Sequence, residues 1–369
     1  MQESIATLEI DLSAVKHNYK LAEQCAPNCV ICPVVKANAY GHGDIEIAKA
    51  LVEQGARWLA VATIDEAIKL RDSGLLQARI LLLGGDCTNY VDELVRYKIT
   101  PSLISVQSVS RLAEKLTSPM KVHIEIDTGM SRLGVKFDQL SSLISVLKVS
   151  RGIELEGLFT HFANADQKED VVTDIQLCRF NAAIDHFDNE GMSPSIKHVA
   201  NSAAVLSRVD DSGCFDMVRP GLMIYGVSPF PDGENYGLKV CSRWLVRPLL
   251  IKNLNKGESV SYAGLWKAPQ DSCIAILSVG YADGYPRCMT GKAKVLVQGK
   301  YAPVVGNICM DYSIVDITGI ANVNYDTEIV LLGKQGGHEI SHKHLAEWSA
   351  TIPYEVMCRI GGRVIKKYV

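Results

Sequence analysis

Cys29-Val30-Ile31-Cys32-Pro33-Val34-Val35-Lys36-Ala37-Asn38-Ala39-Tyr40-Gly41-His42-Gly43-Asp44 sets the pattern that the larger part of the chain repeats. The apolar run Cys29–Val35 reads as a buried strand. It ends on Lys36, passes through a loop punctuated by glycine, and meets an amphipathic helix that begins near Asp44. Ile45, Ile47, Ala48, Leu51 and Val52 fall on one face of that helix. A lysine at the mouth of a buried strand can simply snorkel into solvent. It can also be used chemically, because a partly desolvated amine loses its proton more readily and can attack an aldehyde or act as a base. The stretch alone leaves both readings open.

Further apolar strands are expected at Trp58–Ala62, Arg79–Leu83, Thr100–Ile104, Lys121–Ile126, Ile153–Thr160, Ile196–Ala200 and Met217–Val218. Helices are expected between them. Thr63-Ile64-Asp65-Glu66 reads as a capping box opening one of these, Ser13 reads as the N-cap of another, and Asp170–Asn189 as the longest. Such alternation, repeated about eight times, predicts a parallel sheet covered by helices, and its length suits a (β/α)8 TIM barrel better than an open doubly wound sheet. After Leu238 the pattern changes to short strands separated by Lys256-Gly257, Gln298-Gly299 and Gly336-Gly337. This predicts a C-terminal, mainly antiparallel β-domain. The expected division is 1–238 and 239–369, with Pro229–Gly237 as the linker.

The net charge of −3 without a basic block argues against nucleic acid or an anionic membrane as partner. The polar start Met1-Gln2-Glu3-Ser4 lacks the pattern of a secretory leader, and no apolar run approaches the ~18 residues of a membrane span. A cytoplasmic protein is expected. Its 11 cysteines are an odd number and then read as free thiols rather than a disulfide framework. No metal site is expected. His338-Glu339-Ile340-Ser341-His342 matches the zinc motif HExxH, which requires both histidines on one helical face. Ser341 reads instead as a helix N-cap, so the two histidines would straddle a helix start.

In a TIM barrel, the residues at the C-terminal ends of the strands converge on one mouth. Lys36, Arg132, His161, Asn201-Ser202 and Arg219-Pro220-Gly221 all follow expected strands. Singly they read as a strand end, a loop cation, a core histidine and a helix cap. Together they provide a lysine, two arginines, a ring for stacking and a Gly/Ser cradle. That set points to a phosphorylated aldehyde cofactor, chiefly pyridoxal 5'-phosphate.

Val34 to Gly43 resembles the pyridoxal-phosphate signature of the alanine racemase family. Asp127–Gly134, His161-Phe162-Ala163, Asn201–Ala204, Arg219-Pro220-Gly221, Ser261-Tyr262, Gly280–Pro286, Cys309-Met310-Asp311 and Pro353-Tyr354-Glu355 resemble family motifs in the family's order. The resemblance implies a barrel plus a β-domain in a head-to-tail homodimer with shared active sites, and interconversion of L- and D-alanine for peptidoglycan. It implies that Lys36 binds the cofactor and is the base on one face of the substrate, with Tyr262 of the other subunit as the base on the opposite face. By the same resemblance, Tyr40, Ser202, Gly221, Leu222 and Tyr354 would hold the phosphate, with Asn201 beside Ser202. His161 would lie near the pyridine ring and Arg219 would face its nitrogen. Arg132 and Met310 would orient the substrate carboxylate, and Tyr281 would line the entrance.

One position departs from the family pattern. Many members carry a carbamylated lysine where this chain has Glu125. A carboxylate there could orient Arg132 without carbon dioxide. The alternative activity is serine or broad-specificity racemisation, because a pocket discriminates weakly against one added hydroxyl.

Overall fold

The computed structural model of the chain describes residues 6–167, 171–207, 215–231 and 234–369. It divides into two compact units. One holds Ala14–Ala39 and Asp44–Val240. The other holds the N-terminal segment through Ser13, Tyr40–Gly43 and Cys241–Val369.

In the first unit parallel strands close into a barrel. Their order is Val30–Ile31, Met217–Val218, Ile196–His198, Ile153–Phe159, Met120–Asp127, Ile99–Leu103, Arg79–Leu82 and Trp58–Val61. A parallel bridge between Val34 and Ala60 joins the last strand to the first. The expected strand Cys29–Val35 is shorter in the structure, where Val30–Ile31 alone forms a regular ladder. Pro33 has no N–H to offer, and the pairing changes sides around it. Cys32 and Val34 donate to Val218 and Pro220, while Val35 donates to Ala60 at 2.8 Å.

The helix Ile64–Asp72 opens on the capping box Thr63–Glu66, as the sequence predicts. The helix Leu12–Cys25 is capped differently. Asp11 accepts from the Ser13 N–H at 2.8 Å and from its hydroxyl at 2.6 Å, so Asp11 rather than Ser13 is the cap. The longest helix is Val172–Asn189. Its expected start at Asp170 lies outside the described residues, as do Asp232 and Gly233 of the expected linker.

The second unit is mainly antiparallel. Its largest sheet runs Lys300–Pro303, Lys294–Val297, Ile329–Gln335, Ser242–Val246, Thr7–Ile10 and Ile365–Tyr368. The opening strand Thr7–Ile10 thus sits in this sheet, antiparallel to Ser242–Val246 and parallel to Ile365–Tyr368. Its alternation explains the placement. Leu8 and Ile10 are buried while Thr7 and Glu9 are half-buried, the pattern of a sheet with one wet face, whereas Trp58–Val61 in the barrel is buried throughout. Pro248–Leu254, Ser272–Leu277 and Ser313–Asp316 form a second, antiparallel sheet. His338–Ile340 is a strand, and His342–Ser349 is a helix capped by Ser341. The two histidines of the HExxH match therefore lie on different elements.

The segment Tyr40–Gly43 is tied into the second unit by glycine. Gly41 has a φ of +83°, and a Cβ there would lie 2.3 Å from the Met357 carbonyl oxygen. The Tyr368 hydroxyl donates to the His42 carbonyl at 3.2 Å. Gly41→Ala is expected to destabilise the protein by about 1–3 kcal/mol, the usual range for overpacking. Urea unfolding would read this, and an unchanged midpoint would contradict it.

Candidate active site

Lys36 opens a turn of unusual backbone. Ala37, Asn38 and Ala39 have φ/ψ near +52°/+51°, +54°/+46° and +51°/+54°, and Tyr40 follows with a φ of +51°. This is left-handed helix in residues that carry a Cβ, at roughly 1–2 kcal/mol each. The surroundings hold it in place. Ala39 donates to Val35 at 2.9 Å, and Asp44 donates to the Asn38 side chain at 3.2 Å. Ala37 donates to Glu66 at 2.6 Å, and the second carboxylate oxygen of Glu66 accepts from Ala62 at 2.8 Å and Thr63 at 3.2 Å. Glu66, legible in the sequence as a helix cap, is thus also the clamp on the lysine turn.

The other barrel residues gather by charge. Glu125, on the strand Met120–Asp127, is buried, and burial pushes its carboxyl up to about 6 against the pull of Arg219, Arg132 and Lys36. Burial and the same three cations push the His161 imidazole down to about 3, so the ring is neutral at ordinary pH. Arg132 itself is exposed. It follows an Asx turn in which Asp127 accepts from Gly129 at 3.0 Å and Ser131 at 2.9 Å. The turn returns at Gly134, where a Cβ would meet the Asp127 nitrogen at 2.7 Å.

Arg219 is 3% exposed. It donates to His198 Nδ1 at 2.6 Å, to the Thr160 carbonyl at 2.7 Å and to the Val199 carbonyl at 3.2 Å. A guanidinium has five N–H donors, so donors remain for a ligand. Burial lowers its pKa to about 10, partly offset by Glu125, and the group stays charged.

Ser202 is buried beside the segment that follows Arg219. Its Oγ accepts from Gly221 at 2.9 Å and from Met223 at 3.2 Å, which leaves its own proton for an outside acceptor. Gly221 therefore spends its N–H inside the protein. The Leu222 N–H, at the start of the 3-10 turn Leu222–Tyr225, has no hydrogen-bond partner among the described residues. Asn201 caps the short helix Ser202–Leu206 through Ala203 and Ala204, so its contribution is to hold Ser202 in place. A hydroxyl proton and a buried N–H without a partner suit a phosphate.

In the second unit, Tyr40 and Tyr354 form a tilted pair with ring centroids 6.1 Å apart. Burial pushes the Tyr40 hydroxyl above its ordinary range. Tyr262 belongs to the turn Tyr262–Gly264 and is 68% exposed. Ser261 before it has φ +63° and ψ −174°, a region populated almost entirely by glycine. Its hydroxyl donates to the Asn307 carbonyl at 2.7 Å, and the Asn307 side chain donates to the Tyr262 carbonyl at 2.7 Å. Tyr281 donates to Cys309 and Ala282 donates to Met310, at 3.1 and 3.0 Å. The loops carrying Tyr262, Tyr281 and Met310 are therefore one assembly.

Sequence reasoning missed Gln176. This buried side chain donates to Thr128 at 3.2 Å and to the His161 carbonyl at 2.9 Å, and accepts from Ala163 at 2.8 Å. It joins the loop of Arg132 to that of His161. A glutamine near the start of a long helix gave no signal. His198 and His123 were missed as well, because each shares its strand with other charged residues and does not stand out: Lys197 precedes His198, and Lys121 and Glu125 flank His123.

Comparisons with known proteins agree over nearly the whole chain. Residues 10–229 match the profile of the alanine racemase N-terminal domain, and 241–368 that of the C-terminal domain. An alanine racemase of Geobacter sulfurreducens is 39% identical, over 98% of this chain and 96% of its own. An alanine racemase structure from Bacillus anthracis, solved with L-Ala-P bound, superposes with a TM-score of 0.94 at 32% identity, covering 100% of this chain and 96% of that one. A Streptomyces lavendulae alanine racemase gives 0.93 at 32%, with 100% and 98% covered.

The burial of Glu125 has a pH signature. Its folded pKa of about 6 lies above the ordinary 4.5, so the fold favours the protonated form, and stability is lost as pH rises through 6. Relative to Glu125→Gln, the wild type is expected to lose about 2 kcal/mol of unfolding free energy between about pH 4.5 and pH 7. Parallel pH profiles from urea unfolding would refute this.

Proposed function

Because this chain belongs to the alanine racemase family, we propose that it interconverts L-alanine and D-alanine, with Lys36 and Tyr262 moving the proton on opposite faces of the substrate. Removing the α-proton from one face and returning a proton to the other calls for an acid/base group on each side. The observation that carries this reading is backbone strain. The chain holds left-handed or glycine-like backbone beside both candidate groups, after Lys36 and before Tyr262, and such strain gathers at functional sites.

The family is generally pyridoxal-phosphate-dependent, and the residues of this chain suit that cofactor. When bound, pyridoxal phosphate supplies the electron sink for the charge left by the departing proton. Ser202, the Leu222 N–H, Tyr40 and Tyr354 would hold its phosphate, with Gly221 shaping the turn and Asn201 fixing Ser202. Arg219 would donate to the ring nitrogen. A guanidinium keeps its proton, so Arg219 would donate a hydrogen bond without protonating the nitrogen, which would hold down side reactions that need a stronger sink. The neutral His161 ring would lie beside the pyridine without adding charge. Arg132 and the Met310 backbone would bind the substrate carboxylate, with Glu125 facing Arg132, and Tyr281 would border the approach.

The proposal places Tyr262 in the site of a second copy of the chain, in a cytoplasmic homodimer that makes D-alanine for peptidoglycan. Its exposure and its rigid seat suit a group presented to a partner. Mixing Lys36→Ala with Tyr262→Phe protein tests this. Each variant alone should be inactive in a chiral assay of alanine, and hybrid dimers should regain activity from one intact site. No recovery after confirmed subunit exchange would count against the shared site. Serine run alongside alanine would expose a broader racemase if its turnover were the greater.

Ser261→Gly separates strain from function. Relief of about 1–3 kcal/mol against the loss of the hydroxyl's contacts to the Asn307 carbonyl and the Cys309 sulfur, of about 1 kcal/mol in all, should leave the melting temperature unchanged or higher. Turnover should fall, because Tyr262 loses part of its anchor. A lower melting temperature with full turnover would reverse both halves of the prediction.

A further inference from the structure

The interior of a TIM barrel is ordinarily packed with branched aliphatic side chains. Here a file of polar groups runs through it. Arg219, His198, His123 and Glu156 are all buried. Arg219 Nη1 lies 2.6 Å from His198 Nδ1, and His198 Nε2 lies 2.7 Å from His123 Nδ1. His123 Nε2 faces Glu156 Oε2 at 3.5 Å, a charge contact longer than the hydrogen bonds in the rest of the file. Glu156 is in turn paired with Arg79 at 2.5 Å and Lys121 at 3.0 Å.

The ends of the file dictate its middle. A guanidinium has no acceptor, so His198 Nδ1 must accept, and a neutral His198 then carries its proton on Nε2. That proton points at His123 Nδ1, which must also accept. His123 therefore carries its own proton on Nε2, toward the Glu156 carboxylate. The opposite tautomer of either ring would set donor against donor or acceptor against acceptor. Burial, with the charge of Arg219 nearby, also disfavours a protonated ring at either position.

The surrounding residues keep both rings in place. Phe159 stacks on His198 at 4.7 Å with an interplanar angle of 7°, and the Arg219 guanidinium lies 5.1 Å from the Phe159 ring centre. Gly157 has no side chain for a specific reason. A Cβ there would lie 2.3 Å from His123 Nδ1.

We propose that His198 and His123 are positioning residues for Arg219, forming a one-way donor chain from its guanidinium through two Nε2-protonated rings to Glu156. The chain fixes the orientation of Arg219 from below and prevents a second positive charge from arising beside it. The consequence for catalysis rests on the proposed role of Arg219 at the cofactor, whereas the proton positions do not.

Neutron diffraction on the purified, deuterium-exchanged protein tests the chain directly. It should place one deuteron on Nε2 of His198 and one on Nε2 of His123. A deuteron on Nδ1 of either ring would overturn the proposal, whatever reaction the protein catalyses. The positioning role is read from two substitutions at His123, which touches neither substrate nor cofactor in this scheme. His123→Gln can accept from His198 and donate toward Glu156. His123→Phe is closer in shape but can do neither. A hydrogen-bond role predicts that Gln keeps most of the wild-type kcat while Phe loses on the order of tenfold, with KM for alanine within about twofold in both and the visible spectrum of bound cofactor shifted in Phe alone. Phe equal to or better than Gln would show that the position needs packing only. If neither variant folds, the neutron positions still decide whether the chain exists.

Discussion

A guanidinium buried in the middle of a barrel is the constraint from which much of this protein follows. An ion taken out of water costs several kcal/mol unless its donors are satisfied. Arg219 meets most of that requirement with two carbonyls, Thr160 and Val199, and one imidazole, His198. The imidazole must then stay neutral and be oriented. This brings in His123, the space left by Gly157, and the carboxylate of Glu156 with its two cations. A barrel interior that is usually aliphatic thereby becomes a polar column.

The same charge shapes the mouth. Burial, with Arg219, Arg132 and Lys36 nearby, holds His161 neutral, and the same three cations temper the cost of burying Glu125. A basin with more positive than negative groups suits a phosphorylated, carboxylate-bearing ligand. The strained turns add precision by another route. Left-handed backbone after Lys36 and glycine-like backbone at Ser261 persist because neighbouring hydrogen bonds over-determine them.

Much of this was legible in the sequence. Period and punctuation were enough for the change from strand–helix repeats to short strands near Leu238. Lys36, His161, Ser202 and Arg219 were legible because each follows an apolar strand, and strand ends meet at one mouth. Other features could not be read this way. Thr7–Ile10 has the alternation of a half-wet strand, yet nothing local says that its partners begin more than two hundred residues later. Ser13 looks like a cap, but Asp11 reaches the free N–H first. Gln176 is an ordinary helix residue until the turn geometry brings it under His161.

What the sequence determined by itself was the kind of residue at each strand end and the order of the elements, because periodicity and residue chemistry are local properties. What only the tertiary structure decided was which polar groups satisfy one another across the barrel. The tautomers of His198 and His123, the raised carboxyl of Glu125 and the reason for Gly157 all depend on neighbours distant in the chain. Burial turns those neighbours into strong interactions, since a buried polar group without a partner is costly.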